Sequence, residues 1–433
     1  MTTSTIDKTR IEASLYGMLV GDALAMPGHW YYSPTKLREE YGPDGITEMT
    51  TPHPVHFESM LGGSKFTYTG SIDILHDKVP YYTGHRILWV DEGNPLKATS
   101  SSEAPIHYHV SLKAGQNTTN ACLTRVLIRY LAKSQSPHRA DNYQPKEYLQ
   151  EFYQYLTTKP DGASLDQAKF HNDAYFDNYL RGFFENASQG KDLLDCAMTQ
   201  RDNWSVDSLD GAVVSIPIIT AYAYEPESYV MGRVIEHHML THKSVVVSAT
   251  LYVLMPLLLE LYQGADLHES LDRAMVKMRP PKITGRQLFE SYKANHGPNN
   301  IPAKEKWDQH MILEEEETVK DLVHGLLSTE NDEDVVGGLD RPDSRLSTAC
   351  YCEHAFVVVL YLAYKYGPEE PRKALIQNVN LGGHSTARGA VLGAILGAAH
   401  GDNKVGGKDF PFYGELAAHD VVVQEIEALI ETI

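Results

Sequence analysis

The stretch Asn378-Val-Asn-Leu-Gly-Gly-His-Ser-Thr-Ala-Arg-Gly-Ala-Val-Leu-Gly-Ala-Ile-Leu-Gly-Ala-Ala-His400 decides how this chain folds. It opens as a polar loop in which Gly382 and Gly383 let the backbone turn where a side chain would block it. Ser385 or Thr386 stands where a helix cap is needed, accepting a backbone N–H. In the helix that follows, Gly389, Gly393 and Gly397 recur at every fourth position among Ala390, Ala394 and Ala398. Each glycine costs a helix about 1 kcal/mol against alanine, so three on one face predict the close approach of another backbone. The helix is expected to be central and buried, with its polar N-terminal loop presented as a site.

The start of the chain supplies a partner. Ile11-Glu-Ala-Ser-Leu-Tyr-Gly-Met-Leu-Val-Gly-Asp-Ala-Leu-Ala-Met-Pro27 carries Gly17 and Gly21 on one helix face and then Asp22. The two small-residue helices are expected to pack together, with Asp22 and the His384 loop near one mouth. Without chemistry, the same spacing describes two tightly packed core helices.

Further out, Ser33-Pro34 starts a helix over 33–41. From 42 to 110 the pattern is lost to proline, glycine, tyrosine and histidine, with short β-like pieces such as Arg86-Ile-Leu-Trp-Val90. Long loops in a compact domain are usually functional or disordered. The Trp and Tyr density here predicts an ordered covering layer. Helical periodicity returns at 120–131 and recurs near 145–157, 173–187, 191–200, 211–222, 228–239, 244–263, 266–277, 284–293, 312–327, 347–366, 371–377, 386–399 and 414–431. Val245 to Leu261 is apolar enough to look like a membrane span, yet it holds Ser248, Thr250 and Pro256 and stops at Glu260. A buried helix of a large core explains it better. With no linker and no repeat, the expectation is one all-α domain over 8–431.

The 433 residues are 42% hydrophobic and 22% charged, an ordinary globular balance. A formal charge of −19 repels phosphate backbones and anionic lipid, so neither nucleic acid nor membrane is an expected partner. The block Glu314–Glu317 reads as a solvated helix face. Four cysteines make no disulfide framework, and Cys350-Tyr-Cys352 lacks a second ligand pair at zinc spacing. The polar start Met-Thr-Thr-Ser-Thr-Ile-Asp has no apolar core, which suggests a soluble, cytoplasmic protein.

Polar clusters fall at helix starts and in loops: His29-Trp-Tyr-Tyr32, His107-Tyr-His109 ahead of Lys113-Ala-Gly-Gln-Asn-Thr-Thr-Asn120, and His171-Asn-Asp-Ala-Tyr175 with Asp177 and Arg181 beyond it. Asp210-Gly211, His237-His238 and Thr241-His242 complete the set. No phosphate-binding glycine loop, dinucleotide fingerprint, nucleophile elbow or His-Glu-x-x-His is present. Converging polar helix N-termini suit an anionic or polyhydroxylated small ligand.

On Gly17…Gly21-Asp22-Ala-Leu-Ala-Met-Pro27, Thr241-His242 and Asn378-x-Asn-x-Gly-Gly…Gly-Ala-x-x-Gly-Ala-x-x-Gly, the chain resembles the ADP-ribosylglycohydrolases, which include ADP-ribosyl-arginine hydrolases and J-type crystallins. That resemblance implies a compact all-helical domain. The active branch of the family binds two magnesium ions through Thr-Asp-Asp-Thr and Gly-Gly-Asp-x-Asp-Thr segments. Here Gln116-Asn-Thr-Thr-Asn120 corresponds to the first, and His384 and Thr386 stand for the aspartates of the second. Neither segment keeps a carboxylate, so no metal and no cofactor are expected. A closer likeness is to a branch with His-Trp-Tyr-Tyr, Ala-Gly-Glu-Asn-Thr-x-Asn, His-Asn-Asp-x-Tyr and Gly-Gly-Glu-Asn-x-His-Arg-Gly. Gln116 and His384 replace the two glutamates of that pattern, whereas Arg388 is kept.

These readings lead to a metal-independent hydrolase of a small polar substrate bearing a ribosyl, N-glycosyl or amide bond. Asp173 or His384 is expected as the base, with His171 or His29 as its partner and Asp22 orienting water or capping the polar turn after the first helix. His29, Tyr31, Asn117, Asn120, Asn380 and Arg388 are expected to hold the substrate, Arg388 through its bidentate fork. The alternatives are a catalytically silent ligand-binding or structural relative, and a lyase or transferase of specialised metabolism.

Overall fold

The computed structural model describes residues 6–59, 107–133, 143–157, 173, 175–199, 204–281, 317–338, 341, 343–401 and 412–433. The helices in chain order are α1 (Lys8–Ala25), α2 (Pro34–Tyr41), α3 (Thr119–Ala132), α4 (Pro145–Thr157), α5 (Asn178–Ser188), α6 (Asp210–Val213), α7 (Ile216–Ala221) and α8 (Glu227–His238). They continue with α9 (Val245–Tyr262), α10 (Leu267–Met275), α11 (Val319–Leu326), α12 (Cys352–Tyr366), α13 (Pro371–Asn380), α14 (Ser385–His400) and α15 (His419–Glu431). Among the described residues, strand is confined to two parallel pairs of two residues each, Met198–Thr199 with His242–Lys243 and Val336–Gly337 with Leu346–Ser347. The protein is all-α.

At the centre α1 and α14 run antiparallel. A Cβ built at Gly17 would strike the carbonyl oxygen of Gly393, one at Gly21 that of Gly389, and one at Gly397 that of Ala13. The backbones touch, and only glycine fits there. Arg10 Nη1 closes the far end, donating to the carbonyls of Ala398 (2.8 Å) and Ala399 (2.5 Å), which have no helical partner. Antiparallel pairing sets the C-terminal end of α1, with Asp22, beside the N-terminal end of α14, with His384.

The other helices wrap this pair. α12 and α13 cover α14, and α15 lies across α1 and α3. α9, the apolar helix, packs on α8, α10, α12 and α14 with 67% of its residues buried. α15 is fastened to α3 by a carboxylate between two guanidinium groups: Glu425 takes Arg125 Nε (2.8 Å) and Nη2 (3.1 Å), and Arg129 Nη1 (2.8 Å). Arg125 and Glu425 are both buried. Glu425→Gln is therefore expected to cost about 2 kcal/mol in urea denaturation, the scale of charged hydrogen bonds.

Several boundaries differ from the sequence reading. Helix α5 begins at Asn178 rather than 173: Asp173 takes the Tyr175 N–H (3.2 Å), and Asp177 is extended at the cap position. The expected helix over 211–222 is two short ones, divided where Pro217, with no N–H to give, begins a new turn after Ser215. In place of a helix over 191–200 stand a single 3₁₀ turn, started by Asp192 accepting from Leu194 N, and a strand. Neither Ser385 nor Thr386 caps α14: the cap position is His384, and Ser385 Oγ instead donates to the Ala25 carbonyl at 3.0 Å. The expected helix over 284–293, the first five residues of that over 312–327, and Arg86–Val90 lie outside the described residues; the remainder of 312–327 holds α11.

Candidate functional site

The turn before α14 and the segment after α1 are joined backbone to backbone. Trp30 N donates to Gly383 O (2.8 Å), Gly383 N donates to Tyr31 O, and His384 N donates to Thr348 O (2.9 Å). Gly382 and Gly383 have φ of +67° and +61°, and a side chain on either would collide with Tyr31 or Thr348. Trp30, also left-handed at φ +66°, is a bulky residue in a conformation such residues avoid. The strained pairing sets the His29 and Trp30 rings against His384, with centroids 4.9 Å and 4.7 Å away.

Arg388 holds this turn from beneath. It is fully buried and donates to Asn378 Oδ1 (3.1 Å), Thr348 O (3.1 Å) and Gly382 O. Burial pulls its pKa down to about 9. Its fork is thus turned to protein carbonyls, a brace for the turn in place of the substrate clamp expected from sequence. Asn380 likewise serves the scaffold, bonded to both backbone groups of Ile46 and to Ile376 O. Tyr31 turns away from His29: its hydroxyl bonds Glu40, and its ring stacks on His56 at 3.7 Å.

Asp22 and Asn117 anchor the start of α3. Asp22 receives Asn117 Nδ2 (2.9 Å), Thr118 N (2.9 Å) and Thr118 Oγ1 (2.6 Å), while Asn117 also donates to Leu19 O (2.7 Å). Burial drives the Asp22 pKa up to about 6, against the pull of these hydrogen bonds. The capping role read from sequence is for the polar turn after the first helix; these bonds instead cap the start of α3.

Asp173 is equally enclosed. Its oxygens take Thr119 N (3.0 Å), Tyr175 N (3.2 Å) and His109 Nδ1 (2.9 and 3.0 Å). It is 1% exposed, and its bond to Nδ1 orients the His109 ring. His171 lies outside the described residues. From His109 the chain of rings continues: His109 Nε2 is 2.6 Å from His29 Nδ1, and His29 Nε2 is 3.4 Å from His384 Nδ1. His384 Nε2 reaches Asp210 at 3.1 Å.

Asp177, partly exposed, lies with Asp210 and His384 so that one ligand atom from each falls within 4.8 Å of the others. Asn120 spans the two carboxylates, donating to Asp177 (2.6 Å) and Asp210 (2.8 Å), and its own oxygen accepts from Tyr179 OH at 2.6 Å. Ser208 Oγ adds a bond to Asp210 at 2.8 Å. Burial and the neighbouring Asp210 raise the Asp177 pKa to about 6. Asp210, although burial opposes it, is held below the usual carboxylate range by His384, whose ring is correspondingly held above the usual imidazole value. The pairing thus favours the protonated form of His384 and the ionised form of Asp210, with the more basic carboxylate of Asp177 beside both. Of the residues singled out in the sequence, His29, Asn120 and His384 meet here. His109, Asp177 and Asp210 stand in the clusters noted there, but spacing alone gave no reason to rank them above the other histidines and aspartates.

Residues 3–407 match the family model described as ADP-ribosylglycohydrolase. The chain belongs to the ADP-ribosylglycohydrolase family. A solved structure described as an ADP-ribosylglycohydrolase-related protein complex is similar at TM-score 0.52 and 14% identity, over 98% of each chain. No curated protein matches the sequence. The family is one of hydrolases.

The two magnesium ions of the active branch of ADP-ribosylglycohydrolases need oxygen ligands, commonly carboxylates and water. At the corresponding positions this member presents donors: the Asn117 amide bound to Asp22, Thr119 Oγ1 bound to Tyr175 O at 3.3 Å, and the His384 ring bound to Asp210. Among the described residues the one group with metal-ligand spacing is Asp177, Asp210 and His384. Two carboxylates, each already bonded to Asn120, and one imidazole nitrogen are a poor set for a pair of hard cations, which take oxygen ligands throughout.

Proposed function

We propose that the chain is a metal-independent hydrolase of a small polar substrate with a ribosyl, N-glycosyl or amide bond. The observation that supports this most is the apposition of a basic, partly exposed carboxylate, Asp177, with the buried His384 ring, whose protonated form Asp210 favours. Asp177 takes a proton from water, the hydroxide adds to the substrate carbon, and the leaving nitrogen or oxygen departs with the Nε2 proton that His384 otherwise holds against Asp210. Proton transfer by two placed groups is the part of catalysis that needs no metal. Asp210 keeps His384 charged, and Asn120 fixes the two aspartates. The partner is a small molecule, and the setting is the cytoplasm, in keeping with the charge of −19.

The test is a screen of ADP-ribosyl-arginine, small N-glycosides and amides in the presence of chelator. Turnover supports the reading; saturable binding with no turnover of any of these supports the silent relative instead. For a turned-over substrate, kcat/KM is expected to be bell-shaped. It rises through about pH 6 as Asp177 ionises and falls on the alkaline side as His384, whose pKa lies above the usual imidazole value, loses its proton. A rate independent of pH through both limbs removes this pair from the chemistry.

A further inference from the structure

Four hydrogen-bond links run in series between two buried carboxylates: Asp210 to His384, His384 to His29, His29 to His109 and His109 to Asp173. Each link needs one proton between its two atoms, and ionised carboxylates can only accept. Three imidazoles must therefore carry four protons, which makes two neutral rings and one imidazolium. The count does not depend on where the cation sits. On His384 it sends both inner protons toward Asp173; on His109 both point back toward Asp210; on His29 they point outward to each side. Each arrangement becomes the next by a single hop along a hydrogen bond already in place.

We propose that His384, His29 and His109 form a proton wire that moves one positive charge between the reaction-facing pair Asp210–Asp177 and the enclosed Asp173. The role of the wire in catalysis rests on the hydrolase reading, whereas the wire itself needs no substrate. With the charge on His384, Asp177 faces a cation and is the weaker base. Withdrawn two rings away to His109, the charge no longer offsets Asp177, which becomes the stronger base. Neutral imidazole both donates and accepts, so the chain can relay without large motion.

The surroundings set the resting position. His384 faces two carboxylates, Asp210 and Asp177, with Arg388 opposing them from beneath. His109 faces Asp173, whose charge is already drawn on by the N–H groups of Thr119 and Tyr175, with Asp22 near by. His56 and His107 pack around His29 and His109, but burial keeps both neutral, and their Nε2 atoms bond the carbonyls of His29 (3.2 Å) and Pro27 (3.0 Å). The cation therefore rests on His384. Neutralising Asp210 should drive it toward His109.

The experiment is nuclear magnetic resonance of the protein with isotopically labelled histidine ring nitrogens, each ring assigned by single substitution. In the wild type, the titration of His384 is expected to move the His29 and His109 ring signals along the same curve, because the three rings share one charge. In Asp210→Asn, the doubly protonated signature should leave His384 and appear on His109, and His29→Gln, which cannot relay, should abolish that transfer. Separate midpoints in the wild type, or His109 signals unmoved by Asp210→Asn, overturn the wire. The wild-type titration decides the matter even where a variant does not fold. An active enzyme with independently titrating rings would keep the hydrolase and remove the wire; a coupled titration in a protein with no turnover would do the reverse.

Discussion

Gly21→Val is expected to abolish the native fold, and Gly389→Val to do the same. At each position the new Cβ would lie on a carbonyl oxygen of the facing helix. Overpacking ordinarily costs about 1–3 kcal/mol when neighbouring side chains can shift. Here the obstacle is main chain on both sides, and moving it pulls apart the turn that pairs Trp30 with Gly383. The cost should exceed that range and take most of the roughly 5–15 kcal/mol by which a folded protein is stable. Gly232→Ala is the control: Gly232 lies inside α8, a Cβ there meets nothing within 4 Å, and the change should be neutral or raise stability by up to about 1 kcal/mol. Soluble yield, far-ultraviolet circular dichroism and the urea midpoint read both outcomes. A folded Gly21→Val protein with an unchanged midpoint would mean that the helices are not in backbone contact.

Asp177→Asn should lower kcat by about 10²–10⁴-fold on any substrate the protein hydrolyses, the usual contribution of a placed general base. KM should change little, because the asparagine keeps the shape and can still accept from Asn120. The acid limb near pH 6 should vanish with the carboxyl that produces it. His384→Gln should lose a similar factor and erase the alkaline limb instead. Asp173→Asn serves as the contrast, since Asp173 is enclosed and touches His109 rather than a substrate; its acid limb should persist. Should Asp177→Asn retain the full rate, or Asp173→Asn alone erase the acid limb, the roles of the two aspartates would have to be exchanged.

The fold was legible in the sequence because glycine at Gly17, Gly21, Gly389, Gly393 and Gly397 has a single physical use in a helix interior, and the spacing named both partners. That the His384 turn would meet the His29 segment followed from the same pairing. What spacing could not supply was direction. Arg388 is a fork by chemistry, yet its position one turn into α14 aims it under the Gly382–Gly383 turn, where carbonyls wait. Asp173 looks like a base in His171-Asn-Asp-Ala-Tyr175, but α5 starts five residues later and the aspartate is wrapped by N–H groups of two segments. Asp177 and Asp210 become a pair only through Asn120 and the fold of α3 against α6, a relation among residues 57 and 90 positions apart. Periodicity reports which face of a helix is buried; it does not report which distant side chain arrives there.

The central claim is that a histidine and carboxylate chain occupies the place where relatives of the active branch use cations. Calorimetric titration of chelator-stripped protein with magnesium and with manganese tests it most directly, repeated on Asp210→Asn. No saturable heat in the micromolar range, with turnover unchanged by chelator, is the expected result. Micromolar binding that disappears in Asp210→Asn, with turnover restored by the added ion, would contradict it.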